Sequence, residues 1–169
     1  PAGNQADMTL DGSGIVLASN SASRKAMLEA AGIAFTARGA DIDERALENE
    51  MDGAEPAEIA QALAAAKAAA VSSALPDDLV LGSDSLVEVD GRRFDKPASR
   101  ADAADHLRAF SGKVMTLHSA AALARGSQIL WIGSDFARLR VRDLSEAFIE
   151  AYLDAEWPAV SYCVGVFRI

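Results

Sequence analysis

The sequence predicts an α/β fold, a mixed β-sheet flanked by helices. Three observations carry that expectation. An apolar strand, a polar turn, a helix and a second strand follow one another within residues 15–37, a unit close to βαβ. Helical periodicity recurs at 56–74, 100–110 and 146–155. Two long strand-like stretches, Val114–Ala124 and Ile129–Val141, are joined by the turn Arg125-Gly126-Ser127.

Each element has a local reason. Ile15–Ala18 is a short apolar run that reads as a buried strand, broken by Ser19-Asn20-Ser21. Ala22–Ala31 reads as a helix with Ser21 as N-cap and Gly32 as its stop. Ile33–Ala37 reads as the second strand, and Asp41-Ile42-Asp43-Glu44 as an acidic loop or short extended piece. Pro56 suits the first turn of a helix reaching about Ala74. Its expected buried stripe is Ile59, Leu63, Ala66 and Ala70, with Lys67 beside it. Leu79–Leu81 and Leu86–Val89 read as strands on either side of a polar break, Gly82-Ser83-Asp84-Ser85. Asp90-Gly91 is a two-residue hairpin signal, and Phe94-Asp95-Lys96-Pro97 leads out of the returning strand. Ser99 caps Arg100–Phe110, closed by Gly112, and Ser145 caps Glu146–Ala155. Phe148, Ile149, Tyr152 and Leu153 form the buried side of that last helix. Trp157-Pro158 ends it, and Val160–Phe167 reads as a final strand.

Composition narrows the function. Half of the 169 residues are hydrophobic, enough for a sizeable core. A formal charge of −9 argues against gripping nucleic acid through many phosphates, though a few local cations suffice for one small anionic ligand. The single cysteine, Cys163, and two histidines exclude an intrachain disulfide and argue against a structural zinc site. No apolar run approaches a membrane span and no secretory signal is visible, so the expected location is the cytoplasm. Residues 1–7 precede Met8, a candidate natural start, and are set aside; residues 8–169 are read as one domain.

Polar clusters fall at the expected strand ends, where open α/β sheets bind ligands. Ser19, Ser21 and Arg24 at a helix start make either an anion site or a simple capped turn. Asp84, after an apolar strand, is either a metal ligand or base facing a cleft, or a turn residue bonded to its own backbone. Lys96 either neutralises phosphate charge or is an exposed loop lysine. Lys67 interrupts an alanine-rich helix near its buried stripe, where it is costly unless paired or snorkelling. Asp41, Asp43 and Glu44 either hold a hard cation or form a solvated loop. His106, His118 and Cys163 read as structural.

Taken together these segments resemble the Maf family of nucleotide pyrophosphatases, also called septum-formation inhibitors. The resemblance runs from Ile15 onward in the family's order. Ser19-Asn20-Ser21-Ala22-Ser23-Arg24 is similar to the family's Ser-x-Ser-Pro-Arg-Arg, and Asp41-Ile42-Asp43-Glu44 to its Asp-x-Asp-Glu. Lys67-Ala68, Gly82-Ser83-Asp84, Asp95-Lys96-Pro97 and Phe110-Ser111-Gly112 resemble its Lys-Ala, Gly-[Ala/Ser]-Asp, Gly-Lys-Pro and Leu-Ser-Gly. The resemblance implies a Maf/ITPase-like fold with a deep active-site cleft. It implies a divalent metal, Mg²⁺ or Mn²⁺, and hydrolysis of a nucleoside triphosphate to monophosphate and pyrophosphate. Asp84 is then the general base, and Glu44 and Asp84 hold the metal. Ser19, Ser21, Arg24, Lys67 and Lys96 hold the triphosphate, while Ser23 and Ser85 stand at base-selecting positions. A homodimer is a further expectation, as is a non-catalytic nucleotide-binding regulator of cell division on the same fold. A third class is a phosphatase or nucleotidyltransferase-like enzyme using the same carboxylate and lysines.

This chain also departs from the pattern. Ala22 replaces the family proline, Ser23 an arginine, and Asp95 the glycine before Lys96. The usual Thr-x-Thr-Gly is here Thr116-Leu117-His118-Ser119-Ala120. Cys163-Val164-Gly165-Val166-Phe167-Arg168 is closer to the 7-methyl-GTP branch than to the dTTP/UTP branch. The family continues past the position of Ile169, so the resemblance implies a missing tail.

Overall fold

The computed structural model describes residues 14–168; the stretch set aside above, residues 1–7, lies outside them. Strands β1 (Ile15–Leu17), β2 (Phe35–Ala37), β3 (Val80–Val89), β5 (Val114–Arg125) and β6 (Gln128–Arg140) form a sheet in the order β2-β1-β3-β5-β6. Strand β4 (Arg92–Phe94) folds back on the end of β3 through the predicted turn at Asp90-Gly91. Strand β1 is parallel to both neighbours, whereas β3, β5 and β6 are antiparallel, so the sheet is mixed as expected.

Helices α1 (Ala22–Ala30), α2 (Glu44–Glu50), α3 (Pro56–Ala74), α4 (Arg100–Phe110) and α5 (Glu146–Glu156) connect the strands. The caps read from sequence hold: Ser21, Ser99 and Ser145 each accept from the backbone N–H three residues on. Pro56 opens α3, whose buried face is Ile59, Ala60, Leu63, Ala64, Lys67, Ala68, Val71 and Ser72. The stripe therefore runs through Lys67 itself rather than beside it, and Ala66 and Ala70 are only half-buried. Steps of four residues from Ile59 reach Leu63, Lys67 and Val71, so the buried line follows the i, i+4 row, whereas the expected stripe turned off it at Ala66.

One sheet face receives α3. Gly82 sits against it, and Ala120, Ala122 and Ala124 pack beneath it with Leu63 and Ala64. Small side chains on both surfaces let helix and sheet approach closely; burying Leu63 alone contributes roughly 1.5–3 kcal/mol. The other face is covered by α4 and α5, where Val87, Val89 and Met115 meet Leu107, Phe110, Ile149 and Leu153. Within α5 only Ile149 and Leu153 are fully buried, while Phe148 and Tyr152 stack on each other at the margin. Strand β6 is the outer strand and leaves Leu130, Trp131 and Phe136 exposed.

Three expectations are corrected. The polar break within 79–89 is not a break: β3 is continuous, with Ser83, Asp84 and Ser85 paired to Ala121, Ala120 and Ser119. Pairing with β5 satisfies the backbone regardless of side-chain polarity. Glu44 does not lie in a loop but opens helix α2, and Asp43 is its N-cap, accepting from Ala46 N–H at 2.9 Å. Residues 160–167 form no strand. Ala159–Tyr162 is a 3₁₀ turn, and Gly165 (φ +83°) and Val166 (φ +56°) turn left-handed. The apolar pattern there encodes burial, with Val160 and Val166 both inside the α4–α5 core.

Candidate active site

The topology makes an opening in the sheet. The chain leaves β1 toward β2 through α1 and then returns past β1 to β3 through α2 and α3. Such a reversal of direction opens a crevice at the carboxyl ends of the two central strands, here β1 and β3. Strand β3 also outruns β1. Leu81 is its last residue paired with β1, and Val87 the first paired with β4. Between them, among the described residues, β3 is paired only with β5, and Asp84 stands in that gap.

Asp84 points to the α3 face, because strand alternation puts it on the same side as Gly82 and Leu86. Gly82 sets the approach of α3. A Cβ there would collide with the Ala64 carbonyl oxygen and lie 2.7 Å from the Ala68 nitrogen. One helical position from Ala68, Lys67 reaches Asp84: its Nζ donates to Asp84 Oδ1 at 2.6 Å. Both side chains are only 9% exposed, so the pair is buried and each member depends on the other. Nζ also lies 3.1 Å from Glu44 Oε1, on the half-exposed first residue of α2. One ammonium thus bridges two carboxylates from two different elements.

Arg24 completes the group. Its Nη1 donates to Ser19 Oγ at 3.1 Å, and the same hydroxyl accepts from Ser21 N–H at 3.1 Å. Burial pulls the Arg24 pKa below its ordinary value, while the nearby negative charges of Asp84 and Glu44 pull it up. Those two carboxylates are therefore felt across the gap by the β1–α1 turn. The site brings two cations and two carboxylates together, with Lys67 and Asp84 buried and Glu44 half-exposed. Cations of this kind hold phosphate oxygens; a carboxylate with a free oxygen binds water or a hard cation.

The remaining candidates scatter. Lys96 is exposed after β4 and has no ion pair among the described residues. Asp95, the extra negative charge beside it, lies 3.7 Å from Arg45 and 3.9 Å from Arg93, so its charge is offset locally. Ser23 is exposed on the first turn of α1. Ser85 faces the opposite side of the sheet from Asp84, its hydroxyl 3.1 Å from that of Ser119. Asp41 and Asp43 are exposed, and Asp43 is used as a cap. Among the described residues no group of three or more His, Cys, Asp or Glu side chains gathers to hold a metal. His106 packs edge-on against Phe94, and His118 sits against Phe136 with Glu88 3.8 Å away.

Gly82 is the residue whose role the sequence reading missed. A lone glycine inside a strand pattern marks a close backbone approach, and that signal was present.

The profile of the family described as Maf-like protein matches residues 14–169. The chain belongs to the Maf-like family. Among its relatives is the nucleoside triphosphate pyrophosphatase of Nitrobacter winogradskyi, 43% identical over 155 residues, covering 92% of this chain and 77% of the relative. The 7-methyl-GTP pyrophosphatase of Rhizobium meliloti is 42% identical over 157 residues, covering 92% and 79%. The chain also shows 18% identity and a TM-score of 0.40 to a Mycobacterium abscessus nucleoside-triphosphatase, a dITP/XTP pyrophosphatase, over 73% of this chain and 69% of that one. Membership agrees with the resemblance read from the motifs. In this Maf-like chain the motifs around Ser19, Glu44, Lys67 and Asp84 converge on one gap, and Lys96 stands on the loop after β4.

Proposed function

We propose that this chain hydrolyses a nucleoside triphosphate between its α- and β-phosphates, releasing a monophosphate and pyrophosphate. The observation that carries this is the Lys67 ammonium shared by Asp84 and Glu44, with Arg24 across the gap. The names of the relatives point to the same reaction.

Lys67 and Arg24 take the phosphate oxygens, joined by the hydroxyls of Ser19 and Ser21 at the start of α1. Lys96, exposed on its loop, reaches a substrate that extends out of the gap. With Lys67 drawn to the phosphates, Asp84 is freed to accept a proton. The water oxygen bonds to the α-phosphorus as its proton passes to Asp84, and the bond from that phosphorus to the bridging oxygen breaks, its electron pair leaving with pyrophosphate. Reactions of this type are accelerated mainly by positioning and charge neutralisation, which matches a site made of fixed charges.

A divalent cation fits the donor set. Glu44 and Asp84 already converge on one cation, and Asp84 Oδ2 has no hydrogen-bond partner among the described residues. Glu44 and Asp84 would hold Mg²⁺ or Mn²⁺, which supplies further neutralisation of phosphate charge when bound. Undiminished turnover in excess chelator would reject that role.

Ser23 and Ser85 are proposed as base-selecting positions by family position alone. The depth of the cleft, the cytoplasmic location and the homodimer belong to the same proposal. No helix among the described residues is long and apolar enough to cross a membrane. The outer edge of β6, which pairs with no further strand among the described residues, is where a second copy would add. A nucleotide panel incubated with Mg²⁺ or Mn²⁺ tests the reaction. Pyrophosphate supports hydrolysis at the α–β bond, orthophosphate points to a phosphatase, and no turnover points to a nucleotide-binding regulator.

A further inference from the structure

We infer that Lys67 occupies, in the free protein, the place a divalent cation needs, so that ammonium and metal compete for the Glu44–Asp84 pair. The inference rests on the reading of those carboxylates as metal ligands and adds an order to the binding. Metal is held weakly until a triphosphate draws Lys67 away.

The geometry is that of a cation already coordinated. Nζ is 2.6 Å from Asp84 Oδ1 and 3.1 Å from Glu44 Oε1, with Lys67 9% exposed on the buried face of α3. A hard divalent ion placed between the same carboxylates would meet the ammonium head-on. No third His, Cys, Asp or Glu joins the pair among the described residues. Arg24 adds a second positive charge close enough to feel both carboxylates. Two carboxylates opposed by two cations offer a divalent ion its ligands but little net negative charge, so the free site holds it weakly. Mg²⁺-type ions bound through only one or two carboxylates complete their shell with water and substrate phosphates.

A triphosphate changes this balance. It brings several negative charges, and the four-carbon stem of lysine lets an ammonium swing without moving its helix. Once Lys67 pairs with phosphate, Glu44 and Asp84 are left uncompensated beside new oxygen ligands. Metal and nucleotide then raise each other's affinity by the same factor.

The test is Mn²⁺ binding, counted by electron paramagnetic resonance of free Mn²⁺, with circular dichroism to establish folding. Wild type should bind Mn²⁺ weakly alone. Lys67→Met should bind it tighter by about tenfold or more, within the usual range of site coupling. Lys67→Arg, which keeps a cation, should stay weak. Adding Glu44→Gln to Lys67→Met should abolish the gain. Equal Mn²⁺ affinity in wild type and folded Lys67→Met overturns the competition while leaving the metal reading intact. If Lys67→Met does not fold, wild type alone decides: the α,β-methylene analogue of a nucleoside triphosphate should raise Mn²⁺ affinity, and no rise overturns the inference. No Mn²⁺ bound by either protein, with or without the analogue, removes the metal reading and this inference together.

Discussion

Lys67 Nζ donates to Asp84 Oδ1 at 2.6 Å, in the gap along β3 between its pairing with β1 and its pairing with β4. The buried cost of the lysine is offset by this pair and by Glu44, which explains how a charge can sit on the packed face of α3. The same arrangement presents two carboxylates and two cations to whatever enters the gap.

Removing the cations should separate their roles. Lys67→Ala is expected to lower kcat/KM on the order of 10²-fold, the usual loss when one fixed charge stabiliser is removed from a water-poor site. Lys96→Ala should cost less, because Lys96 is exposed and screened. Steady-state kinetics on a nucleotide panel checks both. Unchanged kcat/KM in both variants would make these lysines packing and surface residues.

Gly82→Ala should push α3 away from β3. The added methyl meets the Ala64 carbonyl and the Ala68 amide, backbone atoms that cannot rotate away. Overpacking of this kind costs about 1–3 kcal/mol. Urea unfolding should show a lower midpoint with an unchanged slope. Activity should fall as well, since Lys67 follows the helix away from Asp84. A variant as stable and active as wild type would show that α3 has room to move.

The Arg108–Glu146 fork ties α4 to α5, with Nε 2.9 Å from Oε1 and Nη2 2.8 Å from Oε2. Hydrogen bonds from Arg108 hold the Glu146 pKa below its ordinary value of 4.5. The unfolded chain therefore binds this proton at a higher pH than the folded one. Stability from the pair is fully present above the ordinary glutamate value and is lost as pH falls through the folded value. Wild type and Glu146→Gln should differ most near neutrality and converge in acid, as thermal melts across pH would show. The effect is small because the pair is exposed.

Substrate choice should be broad. Ser23 is exposed on α1, and Ser85 is small and engaged with Ser119, so neither supplies a strong directional contact to a base. Several nucleoside triphosphates should be turned over, with modified purines tolerated. A preference above about 10⁴-fold for one pyrimidine triphosphate would contradict this, because such selectivity requires buried polar contacts to the base.

Much of the fold was legible because its signals are local. Caps at Ser21, Ser99 and Ser145, proline at the start of α3 and the Asp90-Gly91 turn each act within a few residues. What was missed depends on distant partners. Helix α2 has few apolar residues, and its lone leucine, Leu47, packs against the α3 core only in three dimensions. The continuity of β3 through Ser83-Asp84-Ser85 requires β5, some 35 residues away in sequence. The site's members were readable by type, and the cost of a lysine near a buried stripe left two outcomes for Lys67, pairing or snorkelling, of which the structure shows the pair. Which partner was not readable, because the contact depends on how closely Gly82 admits α3.

The most direct test of the account is product analysis by phosphorus NMR of a nucleoside triphosphate panel with Mg²⁺, comparing wild type with Asp84→Asn. Wild type should yield monophosphate and pyrophosphate in equal amounts. Folded Asp84→Asn should yield the same products with turnover lower by about 10²–10⁴, the range for a lost general acid–base residue. Orthophosphate as the first product, or wild-type turnover in the folded Asp84→Asn protein, would contradict it.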